Sequence, residues 1–76
     1  MNKTRREALG KVQEQISDAV LDLETLRDDE QEYYDNMPES LQGGDKGQQA
    51  QEATDNIDHA ISSLEEADGF IQDAIA

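Results

Sequence analysis

Apolar residues in both halves of the chain recur at alternating steps of three and four. The first half runs Leu9, Val12, Ile16, Ala19, Leu23, Leu26, then Tyr33 and Met37, with Glu30 the one interruption. The second half runs Ala50, Ala53, Ile57, Ala60, Leu64, Ala67, Ile71 and Ala74 without a slip. That rhythm averages the 3.5-residue repeat of a coiled-coil seam and differs from the two-residue alternation of a strand. Between the runs lies Asn36 to Asp45, where Pro38 disfavours helix at Met37 and Gly43-Gly44 permits positive φ, so the chain is predicted to turn back there. The expected fold is all-α, one domain over residues 1–76: an antiparallel two-helix hairpin with a helix at 4–37, a loop at 38–45 and a helix at 46–75.

Local signals refine this expectation. Thr4 with Glu7, and Asp45 with Gln48, fit capping boxes at the two helix starts. Helices of those lengths form rods of roughly 50 and 45 Å at 1.5 Å per residue. Gly10 and Gly69 lie at the open end, each weakening its helix by about 1 kcal/mol relative to alanine. Matching the two seams gives paired residue numbers that sum to about 90, with Leu26 beside Leu64, Tyr33 beside Ile57 and Glu30 facing Ala60. Large then faces small in most layers. Few large apolar side chains work against the ordering entropy of two rods, so a lone hairpin is marginal. Val20, Ile61, Phe70 and Ile75 widen the apolar stripe beyond the seam, which points to a homodimer with four helices.

Charge excludes several classes of function. Six Lys and Arg residues stand against 19 Asp and Glu, for a formal charge of -13, so direct binding of nucleic acid through its phosphates is excluded. The imbalance is polarised: residues 1–11 carry net +3 and residues 12–76 carry net -16. No apolar run approaches the roughly 20 residues of a membrane span, and the start leads into no apolar signal core. A soluble protein of the host cytoplasm, not bound to membrane, is expected. Without cysteine there is neither a disulfide nor a thiolate metal cluster.

Catalytic chemistry finds no constellation. Ser17, Ser40, Ser62 and Ser63 have a single histidine, His59, to serve them, and it falls on an outer helix face among Asp55, Asp58 and Ser62. Helical di-iron sites need inward Glu-x-x-His motifs on paired helices, and calcium loops need a spaced Asp run ending in glycine; neither pattern occurs. The chain is therefore read as non-enzymatic, with no metal and no cofactor. Of the two adjacent tyrosines one should pack and one should face out: Tyr33 is assigned to the seam, Tyr34 to the hairpin end or to a partner as an aromatic anchor.

The acidic body is the strongest remaining signal. Carboxylates four residues apart on a helix sit about 6 Å apart, near the phosphate spacing of a nucleic-acid strand. Such a rod suits a basic groove built for DNA or RNA. The candidate partner-binding residues are Asp18, Asp22, Asp28, Asp29, Glu32 and Asp35, with Tyr34 as anchor. Solubility alone also accounts for acidic outer faces, but the scarcity of Glu–Lys pairs leaves the surface self-repelling. Arg5 and Arg6 in the first turn oppose the helix dipole, which suggests contact with an acidic neighbour.

The stretch Leu26-Arg27-Asp28-Asp29-Glu30-Gln31-Glu32-Tyr33-Tyr34-Asp35-Asn36-Met37-Pro38-Glu39-Ser40-Leu41-Gln42 resembles a group of small acidic helical-hairpin proteins encoded by bacteriophages and prophages. Those proteins share an R-D-E-Q-E-Y-like run, N-M-P-E, and a following helix rich in Ala, Ile, Leu and Glu. The resemblance implies a mobile-element setting, in which small acidic proteins inhibit host defence enzymes by imitating DNA; it transfers no functional residue. Two functional readings follow. In the first, the protein occupies the nucleic-acid-binding groove of a basic host defence enzyme, as an anti-CRISPR or anti-restriction inhibitor. In the second, it is a structural or assembly factor of a phage or mobile element that binds a partner helix through its apolar stripe.

Overall fold

A computed structural model describes all 76 residues as two long helices folded back on each other. Helix α1 spans Lys3–Asp35, the single-turn α2 spans Glu39–Gln42, and α3 spans Asp45–Ile75. The rod measures 58 × 15 × 12 Å across its Cα atoms, and α1 packs along α3 for most of that length. No helix is long and apolar enough to cross a membrane.

The helix ends differ from those expected. Asn2, not Thr4, caps α1: its Oδ1 accepts from the backbone N–H of Arg5 at 2.8 Å, satisfying an orphan donor of the first turn. At α3 the cap is Gly44 in extended conformation, and Asp45 is the first helical residue, its carboxylate near the positive end of the dipole. α1 stops at Asp35, two residues before the expected end. Asn36 N–H donates to Glu32 O at 3.0 Å, after which Met37 N–H closes a tighter turn onto Tyr34 O at 3.1 Å, ahead of Pro38, which has no N–H.

The expected loop contains α2. Pro38, with φ at -56°, caps it, and the Pro38 carbonyl accepts from Leu41 N–H at 2.8 Å and Gln42 N–H at 3.2 Å. No residue here, glycine included, takes positive φ, because the single helical turn reverses the chain instead. Gln42 Nε2 donates to Tyr34 O at 3.2 Å and ties α2 to the end of α1. The turn closes so tightly that the Gln42 backbone lies against buried Gly47, where a Cβ would stand 2.5 Å from the Gln42 carbonyl carbon and 2.8 Å from its Cα.

The largest correction concerns which columns of residues meet. The row shared with the sequence reading holds: Leu9, Ile16, Leu23 and Glu30 on α1 and Met37 just past its end, with Ala50, Ile57, Leu64 and Ile71 on α3, are buried or half-buried. The second row is displaced by one residue. Gln13, Val20, Arg27 and Tyr34 turn inward on α1, as do Gly47, Thr54, Ile61, Asp68 and Ile75 on α3. Val12, Leu26, Tyr33, Ala60 and Ala74, all expected inside, are exposed, and Ala19, Ala53 and Ala67 are half-buried at the margin. Each helix carries two adjacent apolar columns and a third that mixes apolar with polar residues, where a two-helix seam accommodates two columns. On α3 the rejected column is all alanine, and the chosen one buries Ile61 to 7% exposure, gaining more apolar area.

The register shifts as well. Gln13 Nε2 donates to Gln72 Oε1 at 3.1 Å and Arg27 Nη1 donates to Asp58 Oδ1 at 3.0 Å, two pairs whose numbers sum to 85 rather than 90. The early end of α1 moves the fold-back point toward the N-terminus and lowers that sum. Leu26, 55% exposed, therefore does not face Leu64, and Glu30 lies level with Thr54 and Asp55 instead of Ala60.

Candidate functional site

The seam divides the rod into two unlike faces. In an antiparallel pair, the row following the shared seam row on one helix lies beside the same row on the other, and the row preceding the displaced seam row does likewise on the opposite side. The structure follows this rule. Ser17 and Glu65 line one shallow cavity of about 350 Å³ with Gln13, Ile16, Val20 and Asp68, and Gln31 and Gln51 line another with Thr54 and Asp55.

That side is acidic. Its inner rows carry Glu24 on α1 and Asp58 and Glu65 on α3, and the rows just outside add Glu7, Glu14, Asp28, Asp35 and Asp55. Lys3 pairs with Glu7 at 3.9 Å at the open end, and the other cation in an ion pair with these eight carboxylates is Arg27, whose side chain retains 30% exposure. It is already shared: Nη1 reaches Asp58 at 3.0 Å, while Nε and Nη2 each reach Asp28 Oδ1 at 3.3 Å. The hydrogen bond to Asp58 chiefly, helped by Asp28, raises the guanidinium pKa above its ordinary value, while partial desolvation opposes the rise. Two cations held by three carboxylates leave Glu14, Glu24, Asp35, Asp55 and Glu65 without an ion pair.

The other side is apolar. Its inner rows read Val12, Ala19, Leu26 and Tyr33 on α1, and Ala53, Ala60, Ala67 and Ala74 on α3, bounded by Arg5 at the open end and Lys46 at the loop end. Phe70, 67% exposed, extends the patch next to Ala67 and Ala74, and Tyr33 is 51% exposed. Carboxylates on this side are confined to Asp22 and Asp29 at the α1 margin.

The residues expected to bind a partner are therefore not on one surface. Asp28 and Asp35 lie on the acidic side, with Gln31 Nε2 donating to Asp35 at 2.9 Å. Asp18 and Glu32 lie on the outer edge of α1, and Asp22 and Asp29 flank the apolar face. Tyr34 is half-buried in the seam beneath α2 and Tyr33 is the outward ring, the reverse of the expected assignment. Glu24, Asp58 and Glu65 were outside the candidate set. The correct seam phase is the signal that identifies them, since all three occupy the row flanking it.

His59 lies on the outer edge of α3 and is exposed. No group of three or more His, Asp or Glu side chains is arranged to hold a metal ion. No family model, no curated protein and no solved structure matches the chain.

Proposed function

We propose that this chain is a non-enzymatic acidic interaction protein encoded by a phage or mobile element. It occupies the nucleic-acid-binding groove of a basic host defence enzyme, in the manner of an anti-CRISPR or anti-restriction DNA mimic. The acting unit in this reading is a homodimer. The observation that carries it is the gathering of eight carboxylates onto one side of a 58 Å rod, only three of which, Glu7, Asp28 and Asp58, are held by a cation. A stiff array of that kind attracts a basic groove over long range and is weakened by salt.

The contact set moves accordingly to Glu7, Glu14, Glu24, Asp28, Asp35, Asp55, Asp58 and Glu65. Capture from a bacterial lysate at low salt should recover a nucleic-acid enzyme that is released by raised salt and displaced by its own nucleic acid. Replacing Glu24, Asp55 and Glu65 by lysine is expected to weaken that binding about 100-fold or more, since like charges set against each other cost several kcal/mol. Reversing Asp18, on the outer edge, should cost far less. Binding indifferent to salt and to the triple reversal would remove the mechanism.

One observation favours the assembly reading, in which a foreign helix lies on the apolar side: Leu26, Tyr33 and Phe70 are all more than half exposed. Replacing Val12, Leu26 and Tyr33 by polar residues separates the readings: it abolishes capture in the assembly reading, whereas in the first it removes the dimer but leaves each chain's carboxylates to bind the groove, more weakly and still in a salt-sensitive way. Val20, Ile61 and Ile75 cannot serve for this purpose, because they hold the hairpin together.

A further inference from the structure

The exposed apolar side has a specific occupant: we infer that it docks on the same side of a second copy, antiparallel, so that the two loop ends lie at opposite ends of a four-helix dimer. This rests on the dimer of the reading above and not on its target, so it is tested without the target.

Surface area sets the scale. A compact protein of 8.5 kDa exposes roughly 4,700 Å² by the usual size scaling. This rod exposes 5607 Å², an excess of roughly 900 Å², close to the roughly 800 Å² that one partner contributes to a standard interface. Only three residues, Gly47, Ala50 and Ile61, are buried within the single chain, so the core is incomplete without a further layer. The alanine row of α3 allows close approach of a facing helix, and the bulk of Leu26, Tyr33 and Phe70 supplies the side chains to fill such a layer.

Charge selects both the occupant and its direction. Each chain carries -13, so two copies repel unless they meet where carboxylates are fewest, and the apolar side, with Asp22 and Asp29 at its margin, is that surface. Meeting there turns both acidic sides outward. Along the rod the charge is polarised: Arg5 continues the Val12–Leu26–Tyr33 row at the open end, and neither Arg5 nor Arg6 makes an ion pair. A parallel pairing sets basic tip against basic tip and acidic half against acidic half. The antiparallel pairing instead lays each basic tip along the half of the other copy whose docking side is edged by Asp29. It gives the cations of the first turn, which oppose the α1 dipole, carboxylates to face.

Sedimentation equilibrium of the wild-type chain should report twice the 8.5 kDa chain mass at micromolar concentration. Leu26→Glu with Ala60→Glu should raise the dimer dissociation constant about 100-fold or more, as facing carboxylates repel. Leu21→Glu, an exposed leucine on the acidic side, should leave the dimer intact. Direction is read from spin labels at Ser40→Cys, near the loop end. The antiparallel dimer places the two labels about 50–60 Å apart by helix rise, and a parallel one places them within about 30 Å. A wild-type monomer at every concentration would overturn the inference, including one that captures a foreign helix on this side. A dimer that persists in the Leu26→Glu, Ala60→Glu variant would overturn the face, and a short label distance would overturn the direction.

Discussion

Replacing Gly47 by alanine should open the hairpin. A Cβ at this position overlaps the Gln42 carbonyl group and lies 2.8 Å from its Cα, and the obstacle is backbone, not a side chain that can rotate away. Relief requires α3 to move off α2. That movement strains the bond from Gln42 Nε2 to Tyr34 O and the capping hydrogen bonds of the Pro38 carbonyl. Overpacking of this kind costs about 1–3 kcal/mol and more against fixed backbone. A domain of this size holds only about 3–5 kcal/mol in total, so most of its stability goes. Gly10→Ala and Gly69→Ala provide the contrast. Neither Cβ meets any atom within 4 Å, and both sites are inside helices, so each should stabilise by roughly 0.5–1 kcal/mol. Thermal melts followed by circular dichroism check all three; equal behaviour of the three glycines would show that the α2 turn is not closed as described.

The second large effect is expected at Ile61, the one large apolar side chain that is buried, at 7% exposure. Ile61→Ala should destabilise by about 2–5 kcal/mol through lost burial and the cavity left behind. The adjacent Ala60→Ser, on the exposed side, should change stability by no more than about 0.5 kcal/mol. For a domain this small, 1 kcal/mol moves the melting temperature by about 4–8 °C, so the pair is easily separated. The contrast turns on helix phase: with Ala60 inside and Ile61 beside the seam, the order of the two effects would invert.

That phase marks the limit of what the chain's pattern reveals. Two helices and a reversal near Pro38 are legible because the 3-4 spacing persists for dozens of residues and nothing else accommodates proline and paired glycines. The seam is not legible, because beside two apolar columns α1 and α3 each carry a third that mixes apolar with polar residues, and periodicity alone does not say which two meet. The column with fewer polar interruptions loses, since its α3 half is alanine and Ile61 and Ile75 bury more surface. Register followed phase into error: α1 ends at Asp35, and the sequence signals for its end resolve it no better than two residues.

The same ambiguity hid the candidate site. The acidic character is plain from composition, but which carboxylates share a side depends on the phase. Asp28 and Asp35 are joined by Glu24, Asp58 and Glu65, while Asp18 and Glu32 lie apart on the outer edge. Tyr33 and Tyr34 exchanged roles for the same reason. Once the seam is placed, the alanine row of α3 changes meaning, from the small half of an internal core to the floor of an exposed apolar face.

The account depends on two rods folded back with Gln13 level with Gln72 and Arg27 level with Asp58. Nuclear Overhauser contacts in the isotope-labelled protein read that alignment directly. Cross-peaks between the Gln13 and Gln72 side-chain amides, with none linking the Leu26 and Leu64 methyl groups, are the expected result. Leu26–Leu64 contacts without the Gln13–Gln72 pair would contradict both the seam and the two faces built upon it.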